Sequence, residues 1–90
     1  MKKIRRRIIF YGRVQGVGFR YTMYYTAQSY GVTGWVRNCY DGSVEAELEG
    51  TERDIDSVIM QVEGARFVHI DNLDVKDIPT VGDRSFEIKH

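Results

Sequence analysis

Nine consecutive residues, Gly12-Arg13-Val14-Gln15-Gly16-Val17-Gly18-Phe19-Arg20, have the types and spacing that suit an anion. Three glycines within residues 12–18 let backbone N–H groups converge where side chains would obstruct. The stretch runs into a segment with helical spacing. A helix N-terminus adds unpaired N–H groups and the positive end of the helix dipole. Arg20 falls in the first turn, where a cation opposes that dipole. Helix stability does not ask for it. A phosphate-sized anion held between Arg20 and the loop explains both features, so the expected site spans residues 14–20. The usual nucleotide signatures are missing. Gly16-Val17-Gly18 begins a G-x-G-x-x-G pattern, but Tyr21 stands at the third glycine and no Gly-Lys-Ser/Thr follows.

The elements that position this loop follow from hydrophobic period. Residues 4–11 alternate as a strand, with Ile4, Arg6, Ile8 and Phe10 on one face and Arg5, Arg7, Ile9 and Tyr11 on the other. The basic cluster Lys2 to Arg7 reads as a charged strand end whose alternate side chains meet water. Residues 20–30 read as a helix, with Phe19, Met23, Ala27 and Tyr30 on one stripe and Gly31 at C′. Thr33 to Cys39 and Ser43 to Glu49 are the second and third strands, joined at Asp41-Gly42. A three-residue loop, Tyr40-Asp41-Gly42 with Gly42 left-handed, pairs Arg37 with Glu45 and Val36 with Ala46. It sets opposite charges and apolar side chains across from each other, whereas a two-residue loop does neither. It also turns Asn38 towards the helix-covered face. Thr51 caps a second helix carrying Ile55, Val58, Ile59 and Val62 at core spacing, and Gly64 stops it. Residues 65–71 give no clear period. A fourth strand spans Asn72 to Ile78, Pro79 and Gly82 mark a loop, and Phe86 and Ile88 alternate in a short final strand. The order is βαββαβ with a short extra C-terminal strand. This is the α+β, ferredoxin-like arrangement: an antiparallel sheet with both helices on one face.

Composition narrows the function. Ninety residues make a single domain, 1–90. Thirteen basic and thirteen acidic residues balance to a net charge of zero, which weighs against bulk attachment to nucleic acid or membrane. The single cysteine, Cys39, excludes an internal disulfide and has no histidine partner for nucleophilic work. His69 and His90 lack companion ligands at metal spacing, so no metal is expected. The apolar run Ile8 to Tyr11 is too short for a signal sequence or a membrane span. The expectation is a cytoplasmic monomer acting on a small molecule. Glu45, Glu47 and Glu49 alternate with Val44, Ala46 and Leu48 and read as a solvated strand face rather than an acid–base cluster. An RNA-binding module is the competing class for this fold. Gly16 to Tyr21 faintly echoes an aromatic RNA-binding motif, but it lies off the central strands, and the glutamates of the third strand would repel a phosphate backbone.

Two stretches together carry a resemblance. Gly12-Arg13-Val14-Gln15-Gly16-Val17-Gly18-Phe19-Arg20 is one. Gly34-Trp35-Val36-Arg37-Asn38, followed by Asp41-Gly42-Ser43-Val44-Glu45, is the other. They closely resemble the two motifs of the acylphosphatase family at the family's separation, and the likeness runs from about residue 8 to 64 and more loosely through Phe86-Glu87-Ile88. The resemblance implies a ferredoxin-like fold and hydrolysis of the carboxyl–phosphate bond of acyl phosphates. It implies that Arg20 binds the phosphate, that Asn38 orients the attacking water, and that the backbone of Gln15, Gly16, Val17, Gly18 and Phe19 cradles the phosphoryl oxygens. It implies no metal or organic cofactor. The residue chemistry agrees. An asparagine amide cannot act as a base near neutral pH but can accept from and donate to a water. A guanidinium presents a fork suited to phosphate oxygens and stays charged. No general acid is evident, and an acyl phosphate needs none, because its carboxylate leaving group has a conjugate acid of pKa about 4. A related domain serving carbamoyl transfer inside a larger protein is the neighbouring alternative. With no zinc-binding cysteines or further domains in the sequence, a free-standing enzyme is expected. Tyr40 in the hairpin and the Lys89-His90 ending depart from the family pattern.

Overall fold

The structure is a computed structural model and describes residues 2–90; Met1, the first residue of the expected domain, lies outside them. Five strands and two helices follow one another as β1 (Lys3–Arg13), α1 (Phe19–Ser29), β2 (Thr33–Asn38), β3 (Val44–Thr51), α2 (Glu52–Glu63), β4 (His69–Ile78) and β5 (Phe86–Lys89). The strands form one sheet in the order β4-β1-β3-β2-β5. β1 pairs antiparallel with β3 and β4, and β2 pairs antiparallel with β3. The fifth strand differs: it joins β2 in parallel, with Gly34 opposite Phe86 and Val36 opposite Ile88. The sheet is therefore mixed, an antiparallel ferredoxin-like frame with one parallel edge.

Alternation decides the faces. Ile8, Phe10, Val36, Val44, Ala46 and Leu48 point to one side and are fully buried there with Phe19, Met23 and Ala27 of α1 and Ile55, Val58 and Val62 of α2. Both helices thus cover the same face. Each large apolar side chain so buried stabilises the fold by about 1.5–3 kcal/mol. The helix ends match their residue types. Thr51 accepts the N–H of Asp54 through its side chain (3.2 Å), and α2 ends at Gly64. After α1 the N–H of Val32 reaches Ala27 O (2.8 Å) and that of Gly31 reaches Gln28 O (3.2 Å), the paired bonds of a Schellman ending.

The β2–β3 hairpin has the expected register, Val36 with Ala46 and Arg37 with Glu45. Gly42 is left-handed (φ 93°). Ser43 closes the turn by donating its Oγ (2.6 Å) and N–H (3.0 Å) to Asp41 Oδ1, and these bonds hold the Asp41 carboxyl below its usual range. β4 begins three residues earlier than the apolar period indicates. A bulge at Tyr11/Gly12 carries β1 onward to pair Gly12 with Ile70 and Arg13 with His69. Gly12 is required at that bulge: its φ is 130°, and a Cβ there would stand 2.2 Å from His69 O.

The opposite face corrects two expectations. The arginines of β1 and the glutamates of β3 do not meet water as separate charges. Arg5 is 3% exposed, and Glu45 and Glu49 are 5% exposed. Arg5 donates to Glu47 (2.8 Å), Glu49 (3.0 Å) and Asp83 (2.8 Å), while Arg7 and Arg37 both donate to Glu45. Over Arg5 and Glu49 the cover is a strap, the segment 79–85. It links β4 and β5 at opposite edges of the sheet, so it must cross four strand spacings of about 4.8 Å each. Glu49 fastens it by accepting the N–H groups of Val81 (2.8 Å) and Gly82 (2.9 Å). Burial opposes the charge of Glu49, but those N–H groups and Arg5 outweigh it and hold the carboxyl below its usual range. At Glu45, burial is outweighed in the same way by Arg37 and Arg7. On the helix side, Arg6 reaches Glu52 and Asp56 of α2 and Asp77 of β4.

Candidate active site

The loop after β1 is anchored by Val14, which is 1% exposed, and by Val17, which packs against the core. Gly16 (φ 73°) and Gly18 (φ 76°) are left-handed, and a Cβ at either would meet nothing within 4 Å. These glycines therefore serve the turn of the backbone rather than close packing. Gly18 is the N-cap of α1. No side chain caps it, and the first turn holds no acid. The helical ladder opens with Thr22 N–H on Gly18 O (3.0 Å), and among the described residues no turn or cap bond uses the N–H groups of Gly16, Val17, Gly18, Phe19 or Arg20. A run of free donors at a helix start has the chemistry to receive an anion.

Asn38 arrives from elsewhere in the chain. It ends β2 and pairs with Val44, and Val44 pairs on its other side with Phe10 of β1. The start of β3 thus lies between the end of β2 and the strand that leads into the loop. Asn38 shares its side of β2 with buried Gly34 and Val36, which directs it to the helix-covered face. The two sequence motifs meet there. A pocket of about 110 Å³ is lined by Val14, Gly16, Gly18, Phe19, Arg20, Tyr21 and Asn38. Pockets that enclose drug-sized ligands run to about 300–1,000 Å³, so this one suits a small group rather than a nucleotide. No carboxylate lines it. Arg20 is half-buried, and among the described residues it pairs with no acid.

Of the residues expected from sequence, Gly16, Gly18, Phe19, Arg20 and Asn38 line the pocket. Gln15 and Val17 do not: Val17 turns into the core, and the Gln15 side chain turns to the β2–β3 hairpin. Tyr21 is an addition. It is exposed and lines the pocket with Arg20, and its place directly after Arg20 at a helix start was the available signal. A larger depression of about 350 Å³, lined by Arg5, Trp35, Asp83, Arg84 and Lys89 among others, lies near the strap and includes neither Arg20 nor Asn38. Its Arg5 is already paired with Glu47, Glu49 and Asp83. Among the described residues no group of three His, Cys, Asp or Glu side chains is placed to hold a metal, and no helix is long and apolar enough to cross a membrane.

Comparison with known proteins bears on the fold and the family. An acylphosphatase of Bifidobacterium longum is 39% identical over 89 residues, covering 96% of this chain and 92% of the relative. The crystal structure of acylphosphatase from Bacillus subtilis superposes with a TM-score of 0.90 at 36% identity, over 97% of this chain and 99% of that one. Full-length HypF, crystallised in a phosphate- and nucleotide-bound form, contains a similar segment: TM-score 0.89 and 31% identity over 99% of this chain but 12% of that one. The acylphosphatase family model matches residues 6–88. With both motifs meeting in one pocket and this match along nearly its whole length, the chain belongs to the acylphosphatase family.

Proposed function

We propose that this chain hydrolyses the carboxyl–phosphate bond of small acyl phosphates, releasing a carboxylate and inorganic phosphate. Arg20 and the N–H groups of residues 15–19 hold the phosphoryl group, and Asn38 orients the water that attacks in line with the scissile bond. The single observation that carries this reading is that Asn38 of β2 lines the same small, acid-free pocket as Arg20 and the glycine loop. Family membership supports the reaction.

The chemistry closes without further groups. Charge on the equatorial oxygens of a transferring phosphoryl group is stabilised by fixed donors, and the loop and the guanidinium fork supply them. Asn38 donates to or accepts from the water without taking its proton, which passes to a phosphoryl oxygen and leaves with the inorganic phosphate. The departing carboxylate needs no acid, since its conjugate acid has a pKa of about 4. An alkyl phosphate monoester would release an alkoxide and would need an acid, and among the described residues the pocket lining holds no carboxyl, histidine or lysine to supply one. One copy carries both halves of the site, so a single-domain monomer suffices. The proposed setting is the cytoplasm, where a free thiol such as Cys39 stays reduced.

The test sets acetyl phosphate beside an alkyl phosphate monoester, glycerol 3-phosphate. Fast turnover of the first and little of the second is expected; a folded protein that leaves acetyl phosphate intact contradicts the proposal. A second reading, from the resemblance of the motifs to domains serving carbamoyl transfer, takes carbamoyl phosphate as the acyl phosphate used. Carbamoyl phosphate in the same assay decides it: a kcat/KM well above that for acetyl phosphate selects the second reading.

A further inference from the structure

Gln15 contributes an N–H to the loop, but its side chain is engaged elsewhere. Nε2 donates to Cys39 O (2.8 Å) and to Ser43 O (2.8 Å), 24 and 28 residues away. The same two carbonyls close the β2–β3 turn. Ser43 O also accepts the N–H of Cys39 (2.8 Å), and Cys39 O accepts that of Gly42 (3.2 Å). Each carbonyl thus receives two donors, one for each lone pair, and both protons of the Gln15 amide are used. Cys39 directly follows Asn38. Among the described residues, no other side-chain hydrogen bond joins residues 14–18 to the hairpin.

We infer that the Gln15 side chain is a positioning residue that fixes the separation between the phosphate cradle and Asn38. This rests on the proposed role of Asn38. The need for a tether is physical. The cradle hangs from β1 and α1, whereas Asn38 sits at an exposed strand end beside a turn, Tyr40 to Gly42, that is exposed throughout. A rocking turn would carry the water off the line of attack while leaving the phosphate seated. Two bonds from one planar amide to the closing pair of the turn prevent that motion, and they make the hairpin and the loop move as one body.

The experiment compares Gln15→Met, which keeps the length of the side chain and removes both donors, with Gln15→Ala, Asn38→Ala and the Gln15→Met/Asn38→Ala pair. It reads kcat and KM for acetyl phosphate, inhibition by inorganic phosphate, and the thermal unfolding midpoint. Gln15→Met is expected to lower kcat by about a hundredfold, the cost of a misplacement near 1 Å. Inhibition by phosphate should stay within about twofold of the unmodified protein, the scatter seen between uncoupled sites. In the Asn38→Ala background the substitution should change nothing further. Unchanged kcat overturns the inference, and so does a parallel loss of phosphate inhibition, which would make Gln15 a builder of the cradle itself. An undiminished effect in the Asn38→Ala background also overturns it, as does loss of cooperative unfolding in both Gln15 variants. A fully active Asn38→Ala protein overturns the parent role of Asn38 as well, whereas an inactive Asn38→Ala beside a fully active Gln15→Met removes the tether alone.

Discussion

Replacing Asn38 by alanine separates binding from reaction. The side chain lies at an exposed strand end, outside the core and outside every ion pair of the described residues. Removing it should therefore change stability by no more than about 0.5 kcal/mol, or by roughly 4 °C at most in a domain of this size. The phosphate contacts assigned to Arg20, Gly16 and Gly18 come from the loop and α1, so they remain. What is lost is one preorganised group acting in the transition state. Removal of one such donor costs about 2.7–4 kcal/mol, which lowers kcat by about 10²–10³-fold. The assay is steady-state hydrolysis of acetyl phosphate with inorganic phosphate as competitor. The expected result is a collapse of kcat with the inhibition constant for phosphate unchanged. Wild-type kcat in a folded Asn38→Ala protein would refute the proposed mechanism. Phosphate inhibition lost in step with kcat would refute the division of labour between the two motifs.

Arg20→Ala should abolish both phosphate inhibition and turnover, since it removes the only charged side chain that lines the pocket among the described residues; competition by phosphate that survives the change would disprove its role. Arg5→Met should destabilise the fold without touching the site. It leaves Glu47, Glu49 and Asp83 clustered around an apolar group, a loss of about 3–5 kcal/mol for a broken buried network. At about 4–8 °C per kcal/mol in a small domain, the thermal midpoint should fall by at least ~12 °C, and a drop of a few degrees would show the network to be dispensable. Stability should also fall in acid. The folded-state pKa values of Glu45 and Glu49 are depressed, so their contribution is complete above the unfolded carboxylate value of about 4.3 and is lost as pH drops through the lower folded values. Thermal midpoints recorded from pH 6 down to pH 3 should decline below about pH 4, and Glu49→Gln should flatten that decline. Identical acid profiles for the two proteins would remove Glu49 from the account.

Local physics made much of the fold legible. The Arg37–Glu45 and Val36–Ala46 pairings specified the hairpin register, and Thr51, Gly31 and Gly64 marked helix ends as their chemistry suggests. The register placed Asn38 on the helix side, where it now lines the pocket with Arg20. What escaped was non-local. Alternation in Ser43 to Glu49 tells which side chains face away from the helices, but not what covers them. The partners of Arg5 lie 42, 44 and 78 residues away. Segment 79–85 has no period of its own, so neither its path over Glu49 nor the parallel pairing of β5 with β2 could be read from it. The start of β4 escaped because the bulge at Gly12, not apolar alternation, extends the pairing to His69. Gln15 was legible as loop backbone, while its side-chain reach to Cys39 and Ser43 depends on how the two motifs come together.

The proposed anion site joins the glycine loop and Arg20, with Asn38 facing it. A crystal structure with bound inorganic phosphate tests it most directly. Phosphate oxygens are expected on the Arg20 guanidinium and on the N–H groups of residues 15–19, with the Asn38 amide opposite them and room for one water between. Phosphate bound elsewhere, for example beside Arg84 and Lys89 near the strap, with none at the loop, would contradict it.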